Sequence, residues 1–111
     1  MTNTLRVLCA DDEPHALEFL RRLIADDPSL ELVGACSNGE DALRLTLELS
    51  PDLLVLDIRM PGGSGLDVVA ALEPDSRPLV VFATAHDDHA VEAFELHAVD
   101  YLLKPFDDAR F

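Results

Sequence analysis

The chain has 111 residues, 49% of them hydrophobic, and a formal net charge of −14 at pH 7. That length suits one domain with its own core and leaves no room for a second, and no apolar run approaches the roughly 20 residues that a membrane helix needs. The negative charge argues against a nonspecific grip on DNA, RNA or anionic lipid, which are negative themselves.

The first apolar run, residues 5–10, ends at Asp11 and Asp12 and predicts a strand buried on both faces. Pro14 then suits the first turn of a helix. Apolar residues at 16, 17, 20, 23 and 24 trace one face at the 3.6-residue period, with Glu18, Arg21 and Arg22 outside, until Asp27 and Pro28 end the helix. Residues 30–36 predict a second strand. Asn38 and Gly39 turn the chain into a helix carrying Ala42, Leu43, Leu47 and Leu49, which Pro51 stops. Residues 53–56 read as a third strand ending at Asp57, followed by a glycine-bearing loop over 61–65 and a short helix through Val69 and Leu72. A fourth strand over 79–83 leads to Thr84. A fourth helix is predicted over 87–96, with Ala90, Val91 and Phe94 as a thin apolar stripe, and a fifth strand over 99–103 delivers Lys104, the only lysine, ahead of Pro105.

Strands alternating with helices of this length predict repeated βαβ units, hence an α/β fold with a parallel sheet covered on both faces. Right-handed crossovers make a doubly wound five-stranded sheet in the order 2-1-3-4-5 the natural closure, which sets the first and third strands side by side. The carboxyl ends of all five strands then share one rim. The chain stops soon after Pro105, so the last helix is expected to be truncated, and the face it leaves would invite a homodimer or a swapped dimer. The start of the chain carries no basic flank with an apolar stretch behind it, so a cytoplasmic protein with no membrane partner is expected.

On that rim the expected neighbours are Asp11, Asp12, Asp57, Thr84 and Lys104. Carboxylates that share a pocket repel one another unless a cation compensates, and an all-oxygen donor set suits Mg²⁺. A carboxylate can attack phosphorus to form an aspartyl phosphate when its surroundings neutralise the developing charge. Asp57, alone after LLVL, is the better nucleophile candidate, and Asp11 and Asp12 are the metal cradle. Lys104 would pair with a phosphoryl oxygen and the Thr84 hydroxyl would donate to another. Read in isolation, Asp11 and Asp12 fit a helix N-cap and Lys104 a solvated surface lysine; their shared position at strand ends favours the pocket. Cys9 and Cys36 fall in neighbouring strands and read as buried small hydrophobes rather than a redox pair. PGGSG lacks the P-loop pattern and reads as a tight turn. His86 and His89, beside Asp87 and Asp88, do not complete a tetrahedral zinc set, and Asp87 better suits a helix cap.

The blocks CADDEP, LVLDIRMPGGSG, VFATAHD and AVDYLLKPF, in that order and spacing, closely resemble the receiver domain of two-component response regulators. The resemblance spans nearly the whole chain and implies one receiver domain over 1–111 with the flavodoxin-like sheet described above. It implies that Asp57 is the phosphoacceptor for a sensor histidine kinase. Asp12 matches the direct metal ligand, Asp11 its neighbour acting through water, and the backbone carbonyl of Arg59 a further ligand alongside Asp57. Lys104 and Thr84 match the phosphoryl-contacting pair, and Thr84 and Tyr101 the switch pair. His86, two positions beyond the threonine, and the Arg59 side chain match positions that tune access to the pocket.

The wording over 85–106 especially resembles receivers that precede a LytTR-type DNA-binding domain, so DNA would be a partner only through an output domain absent from this chain. Such a module is not a conventional enzyme; it catalyses only its own phosphorylation and dephosphorylation. Two other readings compete. A haloacid-dehalogenase-like phosphatase also uses a strand-end aspartate and Mg²⁺, but carries a second aspartate where this chain has Arg59. A receiver-like module that no longer takes phosphate would serve in protein interaction alone.

Overall fold

The computed structural model describes residues 4–73, 75, 77–84 and the backbone of 100–103. The elements run β1 (Leu5–Ala10), α1 (Pro14–Asp26), β2 (Leu30–Cys36), α2 (Gly39–Leu49), β3 (Leu53–Leu56), α3 (Gly65–Ala70), β4 (Leu79–Thr84) and β5 (Asp100–Leu103). The five strands form one sheet in the order β2-β1-β3-β4-β5, every neighbouring pair parallel. This is the doubly wound topology expected from the alternation of strands and helices. The helix predicted over 87–96 lies outside the described residues.

Side-chain alternation along the central strands sorts the core into two layers. Leu8 and Ala10 of β1, Leu54 and Leu56 of β3, and Val80 and Phe82 of β4 point to one face, where Ala42 of α2 and Val68 and Val69 of α3 close over them. Val7, Cys9, Val55 and Ala83 point to the other, against Leu20 and Ile24 of α1. Phe82 is fully buried, and burying a side chain of that kind contributes roughly 1.5 to 3 kcal/mol. Cys9 and Cys36 pack in different layers and both thiols are free; Cys9 is buried, as expected of a small hydrophobe, whereas Cys36 on the edge strand is half-buried.

β2 is an edge strand, so most of its residues are only half-buried where the last four of β1 are sealed. Its pairing with β1 slips by one residue between Val7 and Leu8, which leaves Val33 as the extra residue of a bulge. Gly34 sits at that slip because a Cβ there would come within 2.9 Å of the Leu8 side chain.

The helix ends explain where the chain turns. α1 begins with Glu13, whose side chain accepts from the Ala16 amide at 2.7 Å, and has Pro14 in its first turn, where a missing N–H costs nothing. α2 is capped by Asn38, whose side-chain oxygen accepts from the Asp41 amide at 2.8 Å. Its last carbonyls, on Leu49 and Ser50, accept from the Arg6 guanidinium at 2.6 and 3.1 Å. α3 opens on a reciprocal capping box between Ser64 and Asp67. It closes at Ala70, earlier than the predicted turn through Leu72. Leu72 packs into the core from beyond the helix end, because Glu73 precedes a proline in the sequence and such a position disfavours the helical backbone.

Candidate functional site

The sheet ladder continues past the formal strand ends and delivers the acids. The Asp11 amide donates to the Cys36 carbonyl at 3.1 Å, and the Asp57 amide to the Ala10 carbonyl at 2.9 Å. β1 and β3 therefore release Asp11, Asp12 and Asp57 at the same height on the carboxyl rim. One carboxylate oxygen from each of the three lies within 4.8 Å of the others. Thr84, the last residue of β4, is fully buried on the neighbouring strand end.

Asp11 is fully buried and Asp57 is 7% exposed, whereas Asp12 faces solvent. Two unit charges 4.8 Å apart at an effective dielectric of about 20 repel by roughly 3.5 kcal/mol, an expense that a folded protein tolerates where a cation offsets it. Two backbone amides contribute partial compensation: Glu13 N–H to Asp11 Oδ1 at 3.0 Å and Ile58 N–H to Asp57 Oδ1 at 2.7 Å. The second of these also fixes the rotamer of the Asp57 side chain. The donor set consists of hard oxygens only, which fits Mg²⁺ and does not fit a metal that prefers sulfur or imidazole.

Four of the five residues expected to converge are thus on one rim, and Lys104 lies outside the described residues, as does His86. Arg59 is exposed two positions beyond Asp57. Tyr101 belongs to β5 and pairs with Phe82 of β4, two residues along the strand from Leu103, the register partner of Thr84. Burial disfavours the thiolate at both cysteines: it pushes the Cys9 pKa up to about 12 and raises that of Cys36 as well. A cavity of about 460 Å³ opens at the opposite rim, between the C-terminal ends of α2 and α3, and Glu73 is the one acid among its described lining residues.

Two glycines hold the site and were not singled out as functional from sequence. Gly65 donates its amide to the Ile58 carbonyl at 2.8 Å, and a Cβ on it would lie 2.2 Å from the Asp57 carbonyl oxygen. Gly39 donates to the Pro61 carbonyl at 2.8 Å, and a Cβ there would lie 2.1 Å from the Gly63 carbonyl oxygen. The signal was present in PGGSG as a turn, but its partner across the fold was not.

The response regulator receiver domain model matches residues 7–111 of the chain. The transcriptional regulatory protein BtsR of Escherichia coli strain K12 is 50% identical over 106 residues, which is 96% of this chain and 44% of that protein. An uncharacterized response regulatory protein of Vibrio cholerae is 44% identical over 106 residues, 96% of this chain and 45% of its own length. The chain spans less than half the length of these curated relatives. Among solved structures, the response regulatory domain of protein mrkE from Klebsiella pneumoniae matches with a TM-score of 0.88 at 36% identity, covering 96% of this chain and 88% of that one. The signal receiver domain of the putative response regulator NarL from Mycobacterium tuberculosis matches with a TM-score of 0.87 at 34% identity, covering 96% and 89%. With motif blocks, strand order and acidic rim in agreement, the chain belongs to the response regulator receiver domain family.

Proposed function

We propose that this receiver domain is the phosphorylation-dependent switch of a two-component system, with Asp57 as the acceptor of a phosphoryl group from the phosphohistidine of a sensor kinase. The observation that carries the reading is the meeting of Asp11, Asp12 and Asp57 within 4.8 Å on the carboxyl rim, beside the strand end that carries Thr84. In the transfer, a carboxylate oxygen of Asp57 forms a bond to phosphorus, the phosphorus–nitrogen bond to the kinase histidine breaks, and the imidazole leaves with the electron pair. The Ile58 amide on Asp57 Oδ1 orients the carboxylate for that attack. Asp11, Asp12, Asp57 and the backbone carbonyl of Arg59 would hold Mg²⁺, which when bound neutralises charge developing on the phosphoryl oxygens.

The product adds about −1.5 to −2 charges and strong acceptor oxygens at this rim. The Thr84 hydroxyl and the Lys104 ammonium answer that charge, and Tyr101 follows the threonine, which biases the β4–β5 edge between two arrangements. Hydrolysis resets the switch: water attacks phosphorus, inorganic phosphate leaves, and the Asp57 carboxylate returns. Arg59 and His86 tune the access of that water. The domain turns over no substrate other than its own phosphate. Its relative BtsR is a transcriptional regulatory protein, and we assign the remainder of the full-length protein a DNA-binding output of the LytTR type, acting in the cytoplasm. Among the described residues no helix is long and apolar enough to cross a membrane.

The test is incubation with Mg²⁺ and acetyl phosphate followed by intact mass measurement, alongside Asp57→Asn. A transient gain of one phosphoryl group in the wild type, absent from the variant, is expected. Continuous phosphate release with no covalent adduct would instead make the protein a phosphatase. A folded wild-type chain that takes no phosphate would be an interaction module.

A further inference from the structure

The loop 58–64 leaves the acceptor Asp57 and is pinned at two points by glycines that touch backbone. At its far end, the amide of Gly65 donates to the Ile58 carbonyl at 2.8 Å, and its Cα is pressed onto the Asp57 carbonyl. In its middle, the amide of Gly39 donates to the Pro61 carbonyl at 2.8 Å, and the missing side chain of Gly39 is replaced by the peptide units of Gly62 and Gly63. A Cβ at Gly39 would sit 2.1 Å from the Gly63 oxygen, 2.7 Å from its carbonyl carbon and 2.9 Å from the Gly62 oxygen. All three are backbone atoms, so no side-chain rotation relieves the clash. The loop achieves this approach with Gly62 at φ 75° and Gly63 at φ 116°, conformations that an L side chain rarely adopts.

Gly39 is not itself a soft point. It is the first residue of α2, held by the Asn38 cap, and α2 is anchored in the core by the buried Ala42 and Thr46, whose hydroxyl donates to the Ala42 carbonyl at 2.7 Å. The loop therefore docks on a rigid helix start, and between the two pins lies Arg59, two residues from Asp57.

We propose that Gly39 is a positioning residue for the acceptor site: by docking the loop 58–64 onto the start of α2 it sets the backbone beyond Asp57 in the geometry that binds Mg²⁺ and accepts phosphate. This rests on the role proposed for Asp57 and the Arg59 carbonyl. Linkage gives a reciprocal consequence: if loop docking strengthens cation binding, cation binding strengthens loop docking by the same factor. The Gly39 amide, bonded to Pro61, then reports on the site although it is no ligand.

The experiment has two arms. In the wild-type chain, amide exchange is followed by NMR without and with Mg²⁺; the Gly39 amide is expected to slow by a larger factor than the Leu79 amide, which is bonded to Asp52 at the opposite rim and reports the global stabilisation alone. In the second arm, Mg²⁺ affinity by calorimetry and the phosphorylation rate with acetyl phosphate are compared for wild type, Gly39→Ala and Gly34→Ala. Gly34→Ala is the stability control, because its Cβ meets only the ends of the Leu8 and Leu49 side chains, at 2.9 and 3.2 Å. Gly39→Ala is expected to weaken Mg²⁺ binding by about tenfold or more and to slow phosphorylation, with Gly34→Ala near wild type, in the range by which supporting residues tune metal sites. Equal affinity and rate in Gly39→Ala and wild type, or a Gly39 amide slowed by Mg²⁺ no more than that of Leu79, overturns the proposal while leaving the acceptor role of Asp57 intact. If Gly39→Ala does not fold, the wild-type exchange arm decides alone. A wild type that neither binds Mg²⁺ nor takes phosphate removes the acceptor reading and this inference with it.

Discussion

Asp57 hangs by its amide from the carbonyl of Ala10 at 2.9 Å, and Ala10 is the residue immediately before Asp11. One rung of parallel ladder thus fixes the height of both buried carboxylates on the rim, although 46 positions of sequence separate them. The energetic consequence is that two acidic side chains are brought close by backbone bonds rather than by any attraction between them.

Cation binding should stabilise the fold measurably. A ligand that binds only the native state adds about 2.7 kcal/mol at one hundred times its dissociation constant. Urea unfolding in saturating Mg²⁺ should show a gain of that order for the wild type. Asp57→Asn removes one of the three clustered carboxylates and should lose most of the gain, and an undiminished Mg²⁺ effect in that variant would remove Asp57 from the ligand set.

Gly65→Ala should be severe. The new Cβ would be 2.2 Å from the Asp57 carbonyl oxygen and 3.3 Å from the Phe82 ring, and the carbonyl belongs to the sheet end rather than to a flexible side chain. Overpacking of this kind costs about 1 to 3 kcal/mol or more. A denaturation midpoint within error of wild type would show that the strand end yields more easily than the ladder implies.

Asn38→Ala removes the cap of α2 and should destabilise by about 1 kcal/mol. The same change has an electrostatic signature. The Asp41 carboxyl is held below its ordinary pKa first by the Asn38 side-chain amide, which donates to it at 3.0 Å, and next by Arg44. An NMR titration should find the Asp41 pKa raised in the variant; an unchanged value would assign the depression to Arg44 instead.

Alkaline pH should weaken the fold through Cys9. Its thiol pKa is raised from 9.0 to about 12, chiefly by burial, so between those values the unfolded chain releases a proton that the folded chain retains. The native state then binds more protons, and stability falls as pH rises from about 9 towards 12, by as much as a few kcal/mol. Urea midpoints should fall less steeply across that window in Cys9→Ala, and parallel slopes for the two proteins would assign the loss to other groups.

The strand sequences determined a great deal by themselves. LRVLCA, LELVGAC and LLVL occupy β1, β2 and β3 from end to end as read, because a short apolar run bounded by acids, glycine or proline has few other solutions. Once strands alternate with helices, right-handed crossovers leave few parallel sheets to choose from; parallel strands put Asp11, Asp12, Asp57 and Thr84 on one rim, and the order β2-β1-β3-β4-β5 makes them neighbours there. The clustered carboxylates were legible for that reason: they are the residues at which such runs stop.

Only the tertiary structure decided what meets across the fold. Nothing local to Gly39 announces that the peptide of Gly63 fills its missing side chain, nor does PGGSG name the helix start it rests on. The bulge at Val33 and the separation of Cys9 and Cys36 into opposite layers were likewise settled by packing. Periodicity is written residue by residue and survives in the bare sequence. The close approach of two backbones depends on the relative placement of segments more than twenty residues apart, and exists only once the sheet has set them side by side.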